Sequence, residues 1–326
     1  MKPFQFFKQD SLGKTVSRKN SNSQFIAGGT NLVDLMKKDI TQPSELIDLA
    51  SVLSEKIEKT GNRLRIGAMA KNSAVTVDRE VLQNFPLLAK AILAGASPQI
   101  RNMASCGGNL LQRTRCPYFY DVTTPCNKRK PVSGCSALNG ENRMAAVIGY
   151  SNECVAVHPS DFCVALAALD AEVLITGNNQ KKQSIPFRDF HRLPGTTPHL
   201  DNNLSENAVI THIEVPGNNF HKNCAYLKLR DRTSYAFALI SVAAALDISG
   251  GTIRDARLAS GGVAHKPWRW HEAENFLKGK PSNNASFQQA ADLVIKDIKP
   301  LSQNGFKKEM LHGGIITALQ NCLTSS

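Results

Sequence analysis

Hydrophobic positions along the chain follow two alternating periods, one typical of strands and the other of helices. Strands are predicted at 24–27, 64–68, 154–158, 172–176, 209–215, 225–229, 238–248 and 252–259. Helices are predicted at 31–38, 75–82, 87–94, 160–169, 272–277, 287–298 and 307–323. Strands and helices that interleave in this way predict an α/β or α+β fold.

Proline and glycine residues after the strand at 209–215 predict a domain boundary. Pro216 ends that strand, and Gly217-Asn218-Asn219 follows it. We therefore expect one domain over residues 1–218 and a second over 223–326, which suits a length of 326 residues. In the second domain, Gly250-Gly251 separates two strand patterns and predicts a hairpin turn.

Composition and charge narrow the functional classes. Hydrophobic residues make up 42% of the chain and charged residues 20%, which excludes disorder over its whole length. No apolar run approaches the roughly 18 residues that a membrane-spanning helix requires. The formal net charge of +12 favours an acidic partner, either a nucleic acid or an acidic protein subunit. An aromatic content of 6% and the absence of a nucleic-acid-binding motif disfavour the nucleic acid.

Periodicity fails between residues 111 and 148, in a stretch rich in Pro, Cys, Arg, Lys and Asn. A loop of this length is uncommon in a domain unless something organises it. Cys116, Cys126, Cys135 and Cys154 lie in or beside it, without the close pairs of zinc sites or the spacing of ferredoxins. The spacing therefore leaves a [4Fe–4S] cluster, two disulfides, zinc and free thiols open. Nearby cations would offset the negative charge of a four-thiolate cluster: Arg113, Arg115, Lys128, Arg129 and Lys130.

Two glycine pairs offer backbone cradles for a ligand. Gly28-Gly29 follows a predicted strand and precedes a predicted helix, so its amides and the helix start suit an anion such as a pyrophosphate. Its spacing matches neither the Rossmann nor the Walker fingerprint, and an ordinary strand-to-helix turn is the alternative. Gly107-Gly108 forms a second cradle, flanked by Ser105 and Asn109. Two such loops in one domain suggest a large ligand that is held in pieces.

Five segments occur in an order that is specific when they are taken together. They are IAGGTNLVDLM, QIRNMASCGGNLL, HPSDFCVALAALDAEV, ITHIEVP and YLKLRDR. The chain resembles the FAD-binding subunits of the molybdenum hydroxylases, the xanthine dehydrogenase and aldehyde oxidoreductase family, over nearly its whole length. The resemblance implies an α+β fold: a two-subdomain FAD-binding fold of the vanillyl-alcohol-oxidase type, followed by an α/β flavoprotein C-terminal domain with an antiparallel sheet packed on helices.

The same resemblance implies cofactor-binding residues. Backbone amides of the first loop would wrap the FAD pyrophosphate: Ile26, Ala27, Gly28, Gly29, Thr30, Asn31 and Leu32. The second flavin loop would contain Ser105, Gly107, Gly108 and Asn109. Asp161 would bond toward the ribityl or adenosine part, Ile210 would contact the flavin, and Lys228 would approach the flavin ring or its phosphate side. A helix-capping acid and a solvated strand residue are the alternatives for Asp161 and Lys228.

The cysteine-bearing loop, about 112–154, resembles an insertion found in the aldehyde oxidoreductase and hydroxybenzoyl-CoA reductase branches, where it binds a [4Fe–4S] cluster. Within the family, this chain most resembles the flavin subunits of periplasmic bacterial aldehyde oxidoreductases. This resemblance implies that Cys116, Cys126, Cys135 and Cys154 are the cluster ligands. Cys106, Cys163, Cys224 and Cys322 are expected to be small buried residues.

The implied function is that of an electron-transfer subunit without catalytic side chains of its own. A molybdenum-cofactor large subunit would oxidise an aldehyde, a [2Fe–2S] small subunit would pass the electrons on, and FAD in this chain would deliver them to an external acceptor. A stand-alone FAD-dependent oxidoreductase and a metal-stabilised scaffold protein are the alternatives. Residues 1–9 lack a signal-peptide pattern, so we expect either periplasmic export together with a signal-bearing partner or a cytoplasmic location.

Overall fold

The strands of the chain form three separate sheets. A computed structural model describes residues 1–177 and 181–324, and twelve strands fall within these ranges. The strands are β1 Gln5–Phe7, β2 Ser23–Ile26, β3 Glu45–Asp48, β4 Ile57–Thr60, β5 Arg63–Gly67, β6 Glu172–Thr176, β7 Lys182–Pro186, β8 Val209–Pro216, β9 Cys224–Leu229, β10 Ile240–Ser249, β11 Thr252–Gly261 and β12 Trp268–Arg269.

Helices connect and cover these sheets. They are α1 Leu12–Arg18, α2 Leu32–Lys37, α3 Asn72–Val77, α4 Arg79–Asn84, α5 Pro86–Ala94, α6 Pro98–Met103, α7 Cys106–Leu110, α8 Pro117–Tyr120, α9 Asp161–Ala168, α10 Phe187–Phe190, α11 His271–Leu277, α12 Asn284–Val294 and α13 Phe306–Thr324. None of the helices in the described ranges combines the length and the apolar character that crossing a membrane requires.

The first part of the chain contains two of the sheets. In the smaller one, β3 lies between β1 and β2 and runs parallel to both. The larger sheet is antiparallel in the order β4-β5-β8-β6-β7, so β8 pairs with strands from two distant parts of the sequence. Alternate residues of β5 and β8, such as Leu64, Ile66 and Ile213, are fully buried in the core of this part. The hydrophobic residues at alternate positions of the sequence form this buried face of the sheet.

The third sheet confirms the antiparallel C-terminal layer. Its order is β12-β11-β10-β9, and the β10–β11 hairpin turns at Gly250 and Gly251, both with positive φ as a tight two-residue turn requires. Helices α11 and α13 pack on one face of the sheet, with α12 against both of them, and α5 and α9 from the first part of the chain contact the other face. The expected α+β fold is therefore confirmed, with the two parts packed through α5 and α9.

Two of the sequence-based element predictions are wrong. No strand forms at 154–158, because the backbone there bonds to separate segments: Val155 accepts from Ala146 and His158 donates to Ala264. The helix predicted at 75–82 is two helices, α3 and α4, because Asp78 is extended and its carboxylate accepts from the amide of Val81 at 3.0 Å. Asp78 caps the second helix at this break.

Residues between α8 and α9 have no regular secondary structure beyond isolated bridges, and side chains hold them in place. Lys307 of α13 is fully buried, and its ammonium donates to the carbonyls of Met144 at 3.1 Å, Ala145 at 2.9 Å and Gly262 at 2.8 Å. The side chain of Asn304 also donates to Ala145. The last helix therefore fixes this irregular segment against the end of β11.

Candidate functional site

A deep cleft lies between the two parts of the chain and has a volume of about 1330 Å³. The loop after β2, the turn between α6 and α7, the start of α9 and the connection from β9 to β10 line it. Sites for drug-sized ligands usually measure about 300–1,000 Å³. The cleft therefore has room for a ligand as large as a dinucleotide.

The first glycine loop presents unpaired amides to the cleft. Gly28, Gly29 and Thr30 all line it, and within the described ranges their N–H groups donate to no protein acceptor. Gly29 has φ +71°, a conformation that favours glycine. Asn31 accepts from the amide of Arg113 at 2.9 Å, while its own buried Nδ2 has no partner. Four donors without acceptors form a site that fits a phosphate-bearing ligand.

Gly28 also fixes how closely the two glycine loops approach each other. A Cβ atom on Gly28 would lie 2.0 Å from the carbonyl oxygen of Met103, in the segment that leads into the second loop. That loop is anchored on β5, since the amide of Gly107 donates to Ala68 at 2.8 Å. Ser105 caps α7 by accepting from the amide of Gly108 at 3.2 Å. Both predicted cradles therefore line the same cleft and touch each other.

Asn109 connects the second loop to the start of α9. Its Oδ1 accepts from the hydroxyl of Ser160 at 2.6 Å and from Gln112 at 2.9 Å. Ser160 in turn caps α9 by accepting from the amide of Cys163 at 3.1 Å. The side chain of Asn109, predicted to face a ligand, is thus partly used to hold the wall of the cleft together.

Asp161 and Lys228 both line the cleft and bond to each other. Their charged atoms lie 2.7 Å apart, with 9% and 4% of the two side chains exposed. Asp161 also accepts from the hydroxyl of Tyr226 at 2.8 Å, and Lys228 also donates to the carbonyl of Ala94 at 3.2 Å. Burial and the neighbouring carboxylate raise the pKa of Tyr226 well above its usual value. The pair joins α9 to β9, so it connects the two parts of the chain at the cleft.

Two isoleucines predicted as cofactor-binding residues differ in their placement. Ile210 lies on the wall of the cleft, next to an irregularity in the pairing of β6 with β8. Ile26 lies behind the first glycine loop, where it does not line the cleft and its carbonyl accepts from Leu49. The remaining predicted residues of the first loop, Ala27 and Leu32, do line it.

Sequence reasoning missed several residues at the mouth of the cleft. Tyr235 and Phe237, in the connection from β9 to β10, are exposed there, and the guanidinium of Arg115 lies 5.1 Å from the ring of Phe237. His158 and Arg113 also line the cleft. The segment YLKLRDRTSYAF contains both aromatic residues, but nothing in its hydrophobic pattern indicates that it folds back over the ligand space.

The four predicted ligand cysteines surround one small cavity next to the cleft. Cys116, Cys126, Cys135 and Cys154 all line this cavity, called here the thiol cavity, although up to 37 residues separate them in sequence. Cys126 and Cys135 are paired across an isolated bridge. All eight cysteines of the chain are free thiols. Cys116 lines both the thiol cavity and the cleft, so the two sites share a wall.

Hydrogen bonds and buried charge surround the thiol cavity. A hydrogen bond from Cys154 lowers the pKa of the Cys135 thiol. Lys128, also on the cavity wall, is 3% exposed, and its ammonium contacts Asp201 and lies 2.7 Å from Nε2 of His265. Burial raises the pKa of Asp201, but the cations of Lys128 and Arg113 outweigh that effect and hold it at about 2. The cavity therefore combines four sulfur atoms with a buried positive charge.

Two family models match adjoining parts of the sequence. Residues 2–218 match the FAD binding domain in molybdopterin dehydrogenase, and residues 225–313 match the CO dehydrogenase flavoprotein C-terminal domain. Together these matches cover most of the chain.

Individual proteins give the same result. The chain is 46% identical to the aldehyde oxidoreductase FAD-binding subunit PaoB of Escherichia coli over 286 residues, which cover 87% of this chain and 86% of that protein. It is 27% identical to the glyceraldehyde dehydrogenase medium chain of Sulfolobus acidocaldarius, over 92% of this chain and 90% of that one. Among solved structures, carbon monoxide dehydrogenase from Hydrogenophaga pseudoflava superposes with a TM-score of 0.76 at 24% identity, over 99% of this chain and 98% of the other, which shows the common fold.

Proposed function

The chain belongs to the FAD-binding subunits of the molybdenum hydroxylase family, and on that premise we propose that it is the flavin and [4Fe–4S] subunit of a molybdenum-dependent aldehyde oxidoreductase. The observation that carries the proposal is the convergence of four cysteines on a cavity that shares a wall with the flavin cleft. When bound, FAD and the cluster supply two-electron and one-electron transfer respectively.

The residues of the cleft fit FAD. The unpaired amides of Gly28, Gly29 and Thr30, with the free Nδ2 of Asn31, provide donors for a pyrophosphate. Lys228 would place a cation near the ligand, but its charge is balanced by Asp161 at 2.7 Å. We therefore expect Lys228 to act mainly by keeping α9 and β9 together around the ligand. The role of Asp161 follows from the same contact.

The four cysteines of the thiol cavity are not gathered closely enough to hold a single ion. The sulfur atoms of these four cysteines do not all lie within 4.8 Å of one another. Among the described residues, a different set of side chains meets that distance. Sulfur atoms around a cluster of four irons have to lie farther apart than those around one ion. The buried ammonium of Lys128 would offset the negative charge of a cluster with four thiolate ligands.

The partners and the substrate follow from the relatives. PaoB is by name the FAD-binding subunit of an aldehyde oxidoreductase, and another relative is a medium chain of glyceraldehyde dehydrogenase. We propose that this chain assembles with a molybdenum-cofactor large subunit and a [2Fe–2S] small subunit, and that the substrate is an aldehyde. The net charge of +12 would favour acidic partner surfaces. Export of the assembled complex with a signal-bearing partner is part of the proposal, and fractionation of the native host tests it against a cytoplasmic location.

Spectroscopy of the purified chain tests the cluster. After anaerobic reconstitution with FAD, iron and sulfide, we expect about one FAD and about four irons per chain, with the EPR signal of a reduced [4Fe–4S] cluster. Cys126→Ser should lose most of the iron and retain the flavin. The matched control Cys322→Ser removes a buried thiol of the C-terminal core and should retain both. Failure of the wild-type chain to take up iron, or full iron occupancy in Cys126→Ser, would overturn the cluster assignment.

Turnover measurements test the subunit role separately. The isolated chain should not reduce a dye acceptor with any aldehyde, because the proposal assigns aldehyde oxidation to the molybdenum-cofactor subunit and electron transfer alone to this chain. Addition of an aldehyde to the assembled complex should bleach the flavin absorption. Aldehyde turnover by the isolated chain would instead establish it as an oxidoreductase in its own right.

A further inference from the structure

Three side chains with metal-ligand chemistry meet behind the wall of the cleft, away from the thiol cavity. Nitrogen atoms of His158 and His191 and the sulfur of Cys163 all lie within 4.8 Å of one another. His158 precedes α9, Cys163 lies in the first turn of α9, and His191 follows α10. The centroids of the two imidazole rings are 4.4 Å apart. Three residues from separate segments are thus brought to one point.

Both histidines have a buried ring nitrogen without a partner. Nε2 of His191 donates to the carbonyl of Leu110 at 2.8 Å, so Nδ1 carries the lone pair, and that Nδ1 is buried and unpaired. Nε2 of His158 is likewise buried and unpaired. The amide of Ser160 donates a long hydrogen bond of 3.4 Å to Nδ1 of His158, so metal binding through Nε2 would require the ring proton to move to Nδ1 and this weak contact to be given up. Unpaired buried polar atoms in a folded protein require an explanation, and a bound ion is one.

Two of the three side chains are buried, and His158 is half-buried at the wall of the cleft. His191 is 3% exposed and Cys163 is fully buried, and the rings of Phe187 and Phe190 pack edge-on against His191. Burial lowers the pKa of His191 to about 4, so its imidazole is neutral near pH 7. A neutral imidazole whose other nitrogen donates to a backbone carbonyl is the usual form of a histidine ligand.

We propose that His158, Cys163 and His191 bind a single Zn²⁺ ion through two imidazole nitrogens and one thiolate. This donor set contains no carboxylate, which argues against Mg²⁺ and Ca²⁺, and nitrogen with sulfur is the combination that zinc prefers. Binding releases the thiol proton of Cys163 to solvent and forms a Zn–S bond, with no change of oxidation state. The three protein ligands leave a fourth position for water.

The ion would stabilise one wall of the flavin cleft. His158 lines the cleft, and Cys163 lies two residues beyond Asp161, which also lines it. Zinc would join these two positions to the segment that follows α10. We therefore expect zinc to raise the affinity for FAD as well as the resistance to unfolding, since a ligand that binds the folded chain stabilises it. The site shares no residue with the thiol cavity, so the inference is independent of the iron–sulfur proposal.

Metal analysis of matched variants tests the proposal. The FAD-loaded chain is stripped with a chelator, equilibrated with Zn²⁺ and desalted, and its zinc content is measured. Wild type should retain one zinc ion per chain more than Cys163→Ala, and Zn²⁺ should bind His191→Gln at least about tenfold more weakly. Cys224→Ala is the control because Cys224 is also a buried thiol but lies outside the cluster. It should retain the same zinc as wild type. Zinc bound by the thiol cavity contributes equally to wild type and to each variant. The differences in zinc content between them therefore report on His158, Cys163 and His191 alone.

Cobalt provides a second readout. Co²⁺ bound through Cys163 should give a sulfur-to-metal absorption band in the near ultraviolet that is lost in Cys163→Ala and kept in Cys224→Ala. Equal zinc contents in wild type and Cys163→Ala, with no difference in the cobalt spectra, would overturn the proposal. If Cys163→Ala does not fold, His191→Gln decides by the same two measurements. Iron content is measured on the same samples, so failure of the cluster assignment is recognised separately.

Discussion

Substitution of Gly28 by alanine should selectively weaken FAD binding. The added Cβ would lie 2.0 Å from the carbonyl oxygen of Met103 and 2.8 Å from its carbonyl carbon. Real Cβ atoms essentially never approach another atom closer than 3.0 Å, so the two segments must separate by at least 3.0 − 2.0 = 1.0 Å. Both atoms in conflict belong to the backbone, which means that no side-chain rotation can relieve the contact.

The size of the effect follows from the donors that this movement displaces. The amides of Gly28, Gly29 and Thr30 are arranged for one anionic ligand, and a hydrogen bond to a charged group contributes about 1.5–3 kcal/mol. Loss of one such bond weakens FAD binding by about 10- to 100-fold, since each 1.4 kcal/mol is a factor of ten. A displacement of 1.0 Å removes at least one bond, because hydrogen bonds weaken steeply beyond about 3.2 Å.

Quenching of flavin fluorescence by the apo-chain measures this dissociation constant directly. Gly305→Ala is the matched control, since a Cβ there meets nothing within 4 Å and Gly305 has no positive φ. Gly107→Ala provides a milder case: its Cβ would lie 2.9 Å from the Cβ of Ala68, and the added substitution Ala68→Gly should recover part of the loss. A folded Gly28→Ala chain that binds FAD within threefold of wild type would refute the reasoning.

Three further predictions concern stability, measured by urea unfolding. Lys228→Met should lower the free energy of unfolding by about 3–5 kcal/mol because it leaves the carboxylate of Asp161 buried without its cation. Adding Asp161→Asn to this variant should recover part of the loss. If the two substitutions instead change the free energy of unfolding additively, the pairing is contradicted. Gly313 of α13 faces open space, so Gly313→Ala should raise the free energy of unfolding by about 0.5–1 kcal/mol. The free energy of unfolding of Gly314→Ala should be at least about 1 kcal/mol lower than that of Gly313→Ala, because its Cβ would lie 2.9 Å from a core side chain. Burial lowers the pKa of His265 to about 3, so between pH 6.5 and 4 the unfolded chain binds a proton that the folded chain does not bind. The free energy of unfolding therefore falls as the pH is lowered through this range. His265→Gln should reduce this pH dependence by about 1.4 kcal/mol per pH unit, and an unchanged pH dependence would contradict the prediction.

Elements whose residues interact with near neighbours in sequence could be predicted. The β10–β11 hairpin follows from two strand patterns on either side of Gly250-Gly251, and α9 follows from the cap that Ser160 provides. The short strands β1 and β3 were not predicted, because they have few residues and their parallel pairing depends on segments far apart in sequence. The break at Asp78 was missed because the hydrophobic spacing continues through it.

The candidate site was predictable in its parts but not in its pairings. Both glycine loops and all four cysteines were recognised, and the structure brings each set to one place. The bond between Asp161 and Lys228 was not foreseen, because each residue alone has the chemistry of a ligand contact and 66 residues lie between them. The group of His158, Cys163 and His191 escaped notice for the same reason: isolated histidines and a cysteine in a helix pattern are ordinary core residues.

The contact between Lys307 and the irregular segment has a consequence for how the chain matures on the ribosome. Met144 and Ala145 lie between Cys135 and Cys154, and the ammonium that holds their carbonyls belongs to Lys307, 153 positions after Cys154. Domains generally fold in order as they are synthesised. Here, however, the segment that carries the thiols cannot acquire this anchor until the ribosome has also synthesised the C-terminal sheet and the start of α13. If the proposed cluster is present, we therefore expect its iron to be inserted only after α13 has folded against this segment.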